Sequence, residues 1–167
     1  YINVMGYDYD GTYDNMSSHH SNLYSPTNMP YIYSTDLIIR NLKKVGVKPS
    51  KIVMGIGFYG KGRIVKSTDN NGLYQIPIRP IFGGGYTYLK DSLINQKGYV
   101  RYWDQASQAA YLFNAEKKQF ITYEDEQSLK LKLDYMKKHK LAGMMFWEYF
   151  SDRKLYLLKL MNRELGY

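Results

Sequence analysis

Three clusters of polar and aromatic residues stand where chemistry could occur: Tyr7-Asp8, Phe58-Tyr59 and Trp147-Glu148. Each closes a run of apolar residues of strand length. A carboxylate beside a phenol can orient the hydroxyl and amide groups of a ligand. A flat aromatic ring packs against the apolar C–H face of a sugar. If the three runs are parallel strands, their carboxyl ends face one site, because ligands of parallel α/β sheets and β/α barrels bind there. An aromatic floor with carboxylates fits a carbohydrate. The same residues also have a plainer reading, in which Tyr7, Tyr59 and Trp147 cap a core and Asp8 caps a loop.

Other candidate sites carry less. Asp8, Asp10, Thr12 and Asp14 are spaced like the start of a calcium loop, but Tyr13 stands where that loop needs glycine and His19 where it needs glutamate. His19 and His20 are adjacent and lack the helical spacing of zinc pairs, and the third histidine, His139, lies in a lysine-rich segment. They read as solvated or loop-packing histidines, and no metal or other cofactor is expected. Gly83-Gly84-Gly85 does not follow a strand and open a capped helix with phosphate-binding spacing, so it reads as a flexible turn.

The elements that must carry the three clusters follow from periodicity. Residues 1–8 read as a strand that the first residue interrupts, which suggests a truncated sequence. Ser34 precedes Leu37, Ile38, Leu42 and Val45 at helical spacing with Gly46 beyond, which predicts a capped helix over 35–45. The continuous apolar run 51–59 suits a strand covered on both faces. From 60 to 122 short aromatic runs alternate with Asn70-Asn71-Gly72, Pro77 and the glycine triplet, which resembles an antiparallel insertion with a hairpin around 111–123. Asp125 then caps a helix with Leu129, Leu133 and Met136 on one face and Lys130, Lys132 and Lys137 off it. The run 141–147 is another buried strand, and 152–165 a closing helix. The plan is β-α-β, insertion, α-β-α.

Length and composition agree with one packed domain: 167 residues, 44% hydrophobic, 23% charged and 5 Pro. The 19 Tyr, 6 Phe and 2 Trp supply amphipathic contact surface. A net charge of +8 could serve nucleic acid or an anionic surface, but the lysines are spread from Lys43 to Lys159. Their dense run, Lys130 to Lys140, reads as one solvated helix face, so neither nucleic acid nor membrane is expected as a partner. No stretch approaches the roughly 18 apolar residues of a spanning helix, and no signal peptide is legible. The absence of cysteine excludes disulfides and thiolate chemistry without fixing a compartment.

Met5-Gly6-Tyr7-Asp8-Tyr9, Lys51-Ile-Val-Met-Gly-Ile-Gly-Phe-Tyr59-Gly60 and Gly143-Met-Met-Phe-Trp147-Glu148, in that order, resemble the sixth, seventh and eighth strands of glycoside hydrolase family 18, the chitinases. The loop His19-His20-Ser21-Asn22-Leu23-Tyr24, Tyr111-Leu-Phe-Asn and Tyr123-Glu-Asp agree. The resemblance implies an α/β fold: the C-terminal portion of a TIM-type β/α barrel, with barrel parts at 1–61 and 123–167 and an α+β insertion at 62–122. It implies a chitinase-type hydrolase that cleaves β-1,4-linked N-acetylglucosamine polymers with retention, the sugar's own acetamido oxygen attacking the anomeric carbon. The family's acidic signature belongs to the fourth strand and is absent from this sequence, so the catalytic acid would lie upstream and this stretch alone would be inactive.

By the same resemblance, Tyr7 would hydrogen-bond the acetamido group as it becomes cyclic and cationic, and Asp8 would help orient it. Met5 and Trp147 would form the floor, and Tyr59 and Lys61 would bind sugar. Two residues depart from the pattern: Gly57 where the family often has proline, and Lys61 where it often has arginine. A lysine cannot reproduce a planar two-pronged contact. Implied partners are chitin or chitooligosaccharide and, for the unpaired strand edges, the N-terminal part of the barrel or a second copy. The resemblance places the protein outside the cell. A chitinase-like lectin that binds without cleaving is the alternative reading, distinguished by the upstream acid.

Overall fold

The computed structural model describes residues 1–12, 15–26 and 33–166. Two sheets form. Strands β1 (Ile2–Val4), β2 (Ile52–Gly57) and β8 (Gly143–Trp147) make a parallel sheet in the order β1-β2-β8. Strands β3 (Gly60–Val65), β4 (Pro77–Ile81), β5 (Val100–Asp104), β6 (Ala109–Asn114) and β7 (Gln119–Tyr123) make an antiparallel sheet in the order β4-β3-β7-β6-β5. Only Phe58 and Tyr59 separate β2 from β3. On the antiparallel side Gly60 pairs with Tyr123, so the chain enters and leaves that sheet on one rung.

Helix α1 (Thr35–Lys44) begins where expected. The Ser34 hydroxyl accepts from the Leu37 amide, and the chain stops at Val45 and Gly46, which has φ +91°. Helix α3 (Glu126–Lys138) opens on a reciprocal cap between Asp125 and Ser128. Helix α2 (Tyr86–Ser92) lies between β4 and β5. The core gathers Ile52, Met54 and Ile56 of the central parallel strand and the adjoining Phe58 with Leu129 and Leu133 of α3, Leu157 of α4 (Tyr156–Leu165) and Leu112 and Ile121 of the second sheet. One apolar mass therefore joins the two sheets.

Three details differ from the sequence reading. The closing helix α4 runs Tyr156–Leu165 and does not begin at Asp152. Leu155 takes a left-handed conformation, and the Asp152 carboxylate caps from a distance by accepting the amides of Tyr156, Leu157 and Leu158 at 2.9–3.0 Å. The lysine run is not one solvated face. Lys132 is fully buried, paired with Glu124, and donates to the Ser21 carbonyl at 2.6 Å. The glycine triplet is a close-packed seam: the Gly60 amide donates to the Gly84 carbonyl at 2.8 Å, and a Cβ on Gly85 would stand 2.7 Å from the Ser151 Cα. No side chain fits there, which is why three glycines stand together.

Candidate active site

The site is assembled by the carboxyl ends of the three parallel strands. Register pairs Val4 of β1 with Met54 and Gly57 of β2 with Trp147 of β8, so Met5, Tyr59 and Trp147 each lie at the same end of the sheet. The Phe58 amide donates to the Trp147 carbonyl at 2.7 Å, which ties the two strand ends together. Phe58 turns inward and stacks on Phe146 at 4.7 Å, leaving its neighbour Tyr59 to face the site. The peptide between Trp147 and Glu148 is cis.

Tyr59 is the hub. Its hydroxyl donates to Asp8 Oδ1 at 2.6 Å, its ring meets Tyr7 edge-on at 6.2 Å, and it lies 5.2 Å from the buried ring of His20. Gly57 makes room for this, because a Cβ there would stand 2.9 Å from the Tyr59 ring. Asp8 takes a left-handed backbone, φ 65°, a conformation aspartate tolerates, and that turn swings its carboxylate toward Tyr59 and Lys61. Lys61 Nζ lies 3.2 Å from Asp8 Oδ1 and 3.0 Å from Asp10 Oδ1. Thus Tyr7, Asp8, Tyr59 and Lys61 form one connected cluster drawn from two sheets. Met5 and Trp147 are 66% and 59% exposed, so neither is a core residue among the described residues.

Burial and then the Asp8 charge raise the Tyr7 hydroxyl above its ordinary value. Burial and the hydrogen bond to Asp8 raise Tyr59 further. Both phenols therefore keep their protons at neutral pH and can donate. Burial pulls the Lys61 ammonium down, but Asp10 and Asp8 outweigh it and hold Lys61 above its ordinary value. A groove of about 670 Å³ runs from Tyr59, Lys61 and Asp10 past Arg63 to Phe82 and the glycine seam at Ser151.

One residue at the site escaped the sequence reading. Met145 lies on the same face of β8 as Trp147, and a Cβ on Gly55 would meet both its methyl, at 2.6 Å, and the Tyr7 ring, at 3.2 Å. Strand alternation from Trp147 was the signal that could have found it. Asp10 is an ion-pair partner of Lys61 and Arg63. Two members of the calcium-like frame, Tyr13 and Asp14, lie outside the described residues, and among the described residues no cluster of His, Asp and Glu is arranged to hold a metal ion. His19 and His20 are both buried loop-packing residues, neither of them solvated, and His19 Nε2 lies 3.1 Å from Asp104 Oδ2.

The family model for the glycosyl hydrolases family 18 matches residues 1–152. The chain belongs to this family. Chitinase A1 of Niallia circulans is 32% identical over 179 residues, which covers 99% of this chain and 26% of that protein. Among solved structures, a family 18 N-acetylglucosaminidase from Paenibacillus barengoltzii superposes with a TM-score of 0.91 at 37% identity, over 98% of this chain and 48% of that one. The cell-surface-expressed chitinase ChiW of a Paenibacillus strain gives a TM-score of 0.92 at 36% identity, over 100% of this chain and 20% of its own. This family 18 chain thus spans between a fifth and a half of the length of these three relatives. Its parallel strands and helices form part of the family's β/α barrel, as the resemblance implied.

Proposed function

We propose that this chain is the substrate-binding share of a chitinase-type glycoside hydrolase whose catalytic acid is supplied by another part of the protein. The substrate is a β-1,4-linked N-acetylglucosamine polymer. One observation carries the reading: the linked cluster of Tyr7, Asp8, Tyr59 and Lys61 at the carboxyl ends of parallel strands, with Met5 and Trp147 exposed beside it, in a chain whose relatives include proteins named chitinase.

In the reaction, the acetamido oxygen attacks the anomeric carbon as the acid protonates the departing glycosidic oxygen, and water later opens the cyclic cation with net retention. Tyr7, a protonated donor, hydrogen-bonds the acetamido oxygen as charge develops, while Asp8 faces the acetamido N–H and orients it. Trp147 and Met5 support the apolar face of the sugar, and Lys61 and Tyr59 hold Asp8 and supply donors to the glycan. Residues 62–122 form an insertion that walls the groove, between barrel parts at 1–61 and 123–167. The strand edges at β1 and β8 are covered by the rest of the barrel or by a second copy. The protein acts outside the cell, as its polymeric substrate requires.

The test incubates the protein as its gene encodes it with chitin and with chitopentaose and follows product release and anomeric form. Hydrolysis giving the β-anomer first supports the reading. Binding of chitopentaose without cleavage would make the protein a lectin, and inactivity on chitin with cleavage of peptidoglycan or N-glycans would move the substrate.

A further inference from the structure

Asp10 is 2% exposed, yet it faces two cations of the antiparallel sheet. Lys61 Nζ lies 3.0 Å from its Oδ1. Arg63 Nη2 donates to its Oδ2 at 2.9 Å and to its backbone carbonyl at 3.1 Å. Lys61 in turn reaches Asp8, which also receives the Tyr59 hydroxyl. Asp10 thus lies one step behind the site, and its reach into the site passes through Lys61. Two carboxylates and two cations are joined in the order Arg63, Asp10, Lys61, Asp8, and their formal charges cancel.

A lysine needs such a partner. Its ammonium is a point charge on a flexible four-carbon stem, whereas a guanidinium is a rigid fork that can grip a carboxylate in two places. With Lys61 about a third exposed, a free stem would swing into the groove and sample many rotamers. Asp10 cannot swing: it is buried, and Arg63 holds both its side chain and its backbone. We propose that Asp10 is a positioning residue that anchors the Lys61 ammonium against Asp8, so that a lysine performs at this position what a planar fork would do unaided. The proposal rests on the reading that Asp8 and Lys61 line the sugar site. The charges agree with it. Burial pushes the Asp10 carboxyl up, but the neighbouring His20 together with the Arg63 and Lys61 cations outweighs burial and holds it below the ordinary carboxylate range.

The experiment is a double-mutant cycle in the protein as its gene encodes it, titrating chitotetraose calorimetrically against wild type, Asp10→Asn, Lys61→Met and the double variant. Contacting groups couple strongly enough that Asp10→Asn should weaken binding about tenfold. Lys61→Met should weaken it by a similar factor, and the double variant should bind no worse than Lys61→Met alone. If the Asp10→Asn loss persists in full on the Lys61→Met background, Asp10 acts through folding and the proposal falls. A second readout needs no ligand: NMR titration of the Lys61 ammonium should show its pKa lowered in Asp10→Asn, and an unchanged value overturns the proposal. Should Asp10→Asn fail to fold, Asp10→Glu keeps the charge on a longer arm, and its loss of affinity should likewise vanish on the Lys61→Met background. Failure of the wild type to bind chitotetraose would sink the reading of the site, leaving the Lys61 titration to judge the anchor.

Discussion

Lys132 and Glu124 form an ion pair with both side chains wholly removed from solvent, one on α3 and the other just past the end of β7. The pair also holds Ser21: Lys132 donates to its carbonyl and to its hydroxyl, and the hydroxyl lies 2.9 Å from both the Gly6 carbonyl and Glu124 Oε2. Gly6 immediately precedes Tyr7, so this buried network reaches the backbone of the candidate site.

Removing one member of such a pair leaves an uncompensated buried charge. Lys132→Met should therefore destabilise the protein by about 3–5 kcal/mol. The double variant Lys132→Met, Glu124→Leu should recover much of that loss, because no charge is left stranded. Urea denaturation of the three proteins checks this, and a single variant as stable as wild type would mean that water reaches the pair.

Trp147 separates a binding role from a packing role. At 59% exposure it holds little of the core, so Trp147→Ala should change stability far less than the roughly 3–5 kcal/mol of a buried tryptophan. Affinity for chitotetraose should fall clearly in the same protein. Calorimetric titration with a parallel melt gives both numbers, and unchanged affinity would remove Trp147 from the site.

Tyr7 should behave differently from Trp147. In the proposed reaction its hydroxyl acts while charge develops on the acetamido group, so Tyr7→Phe should lower kcat with little change in ground-state affinity. Steady-state kinetics beside a binding titration decides this. Equal losses in both would assign the hydroxyl to substrate binding.

His20 predicts an acid limb of stability. It is fully buried, among the described residues neither ring nitrogen has a hydrogen-bond partner, and burial lowers its pKa from 6.5 to about 4. Between those values the unfolded chain binds a proton that the folded one refuses. Stability is therefore whole above pH 6.5 and falls as pH drops toward 4, by about 3 kcal/mol for a shift of this size. In denaturation curves across that window, the stability of wild type should fall by about 3 kcal/mol relative to that of His20→Phe, whatever the offset between the two at high pH. Parallel curves would exclude His20 as the source.

The fold was legible wherever local signals agree. Ser34 and Gly46 bracket α1 as their capping chemistry requires, and Asp125 starts α3 with its own hydrogen bond to Ser128. Lys132 was not legible as buried, because its position on the flank of the apolar stripe is an ordinary place for a snorkelling lysine and its partner lies outside the helix. The start of α4 was displaced for a similar reason, since Asp152 caps across a left-handed Leu155 that no residue type announces. At the site, residue types named Tyr7, Asp8, Tyr59 and Trp147 as candidates. The meeting of Asp8 with Tyr59 and Lys61 depends on β1 and β3 coming together through β2, and pairings between elements leave no periodic trace in one sequence.

The pairing of Gly60 with Tyr123 makes the antiparallel sheet, in topological terms, a very long loop closed at its neck. A chain that departs and returns at adjacent points adds little closure entropy to the scaffold, however much is threaded through the opening. The turns of that sheet far from the neck can therefore change in length without moving the neck, whereas Leu112 and Ile121 belong to the core shared with the parallel strands and cannot be removed freely. Deleting 62–122 should uncover the side of β2 and α3 that Leu89, Leu112 and Ile121 pack against and lower stability, while shortening the turn between β6 and β7 should be tolerated, and a thermal melt of the two variants checks this. Because Tyr59 and Lys61 flank that neck and both contact Asp8, a change made at the neck itself would reach Asp8, whereas one made at the far turns would not.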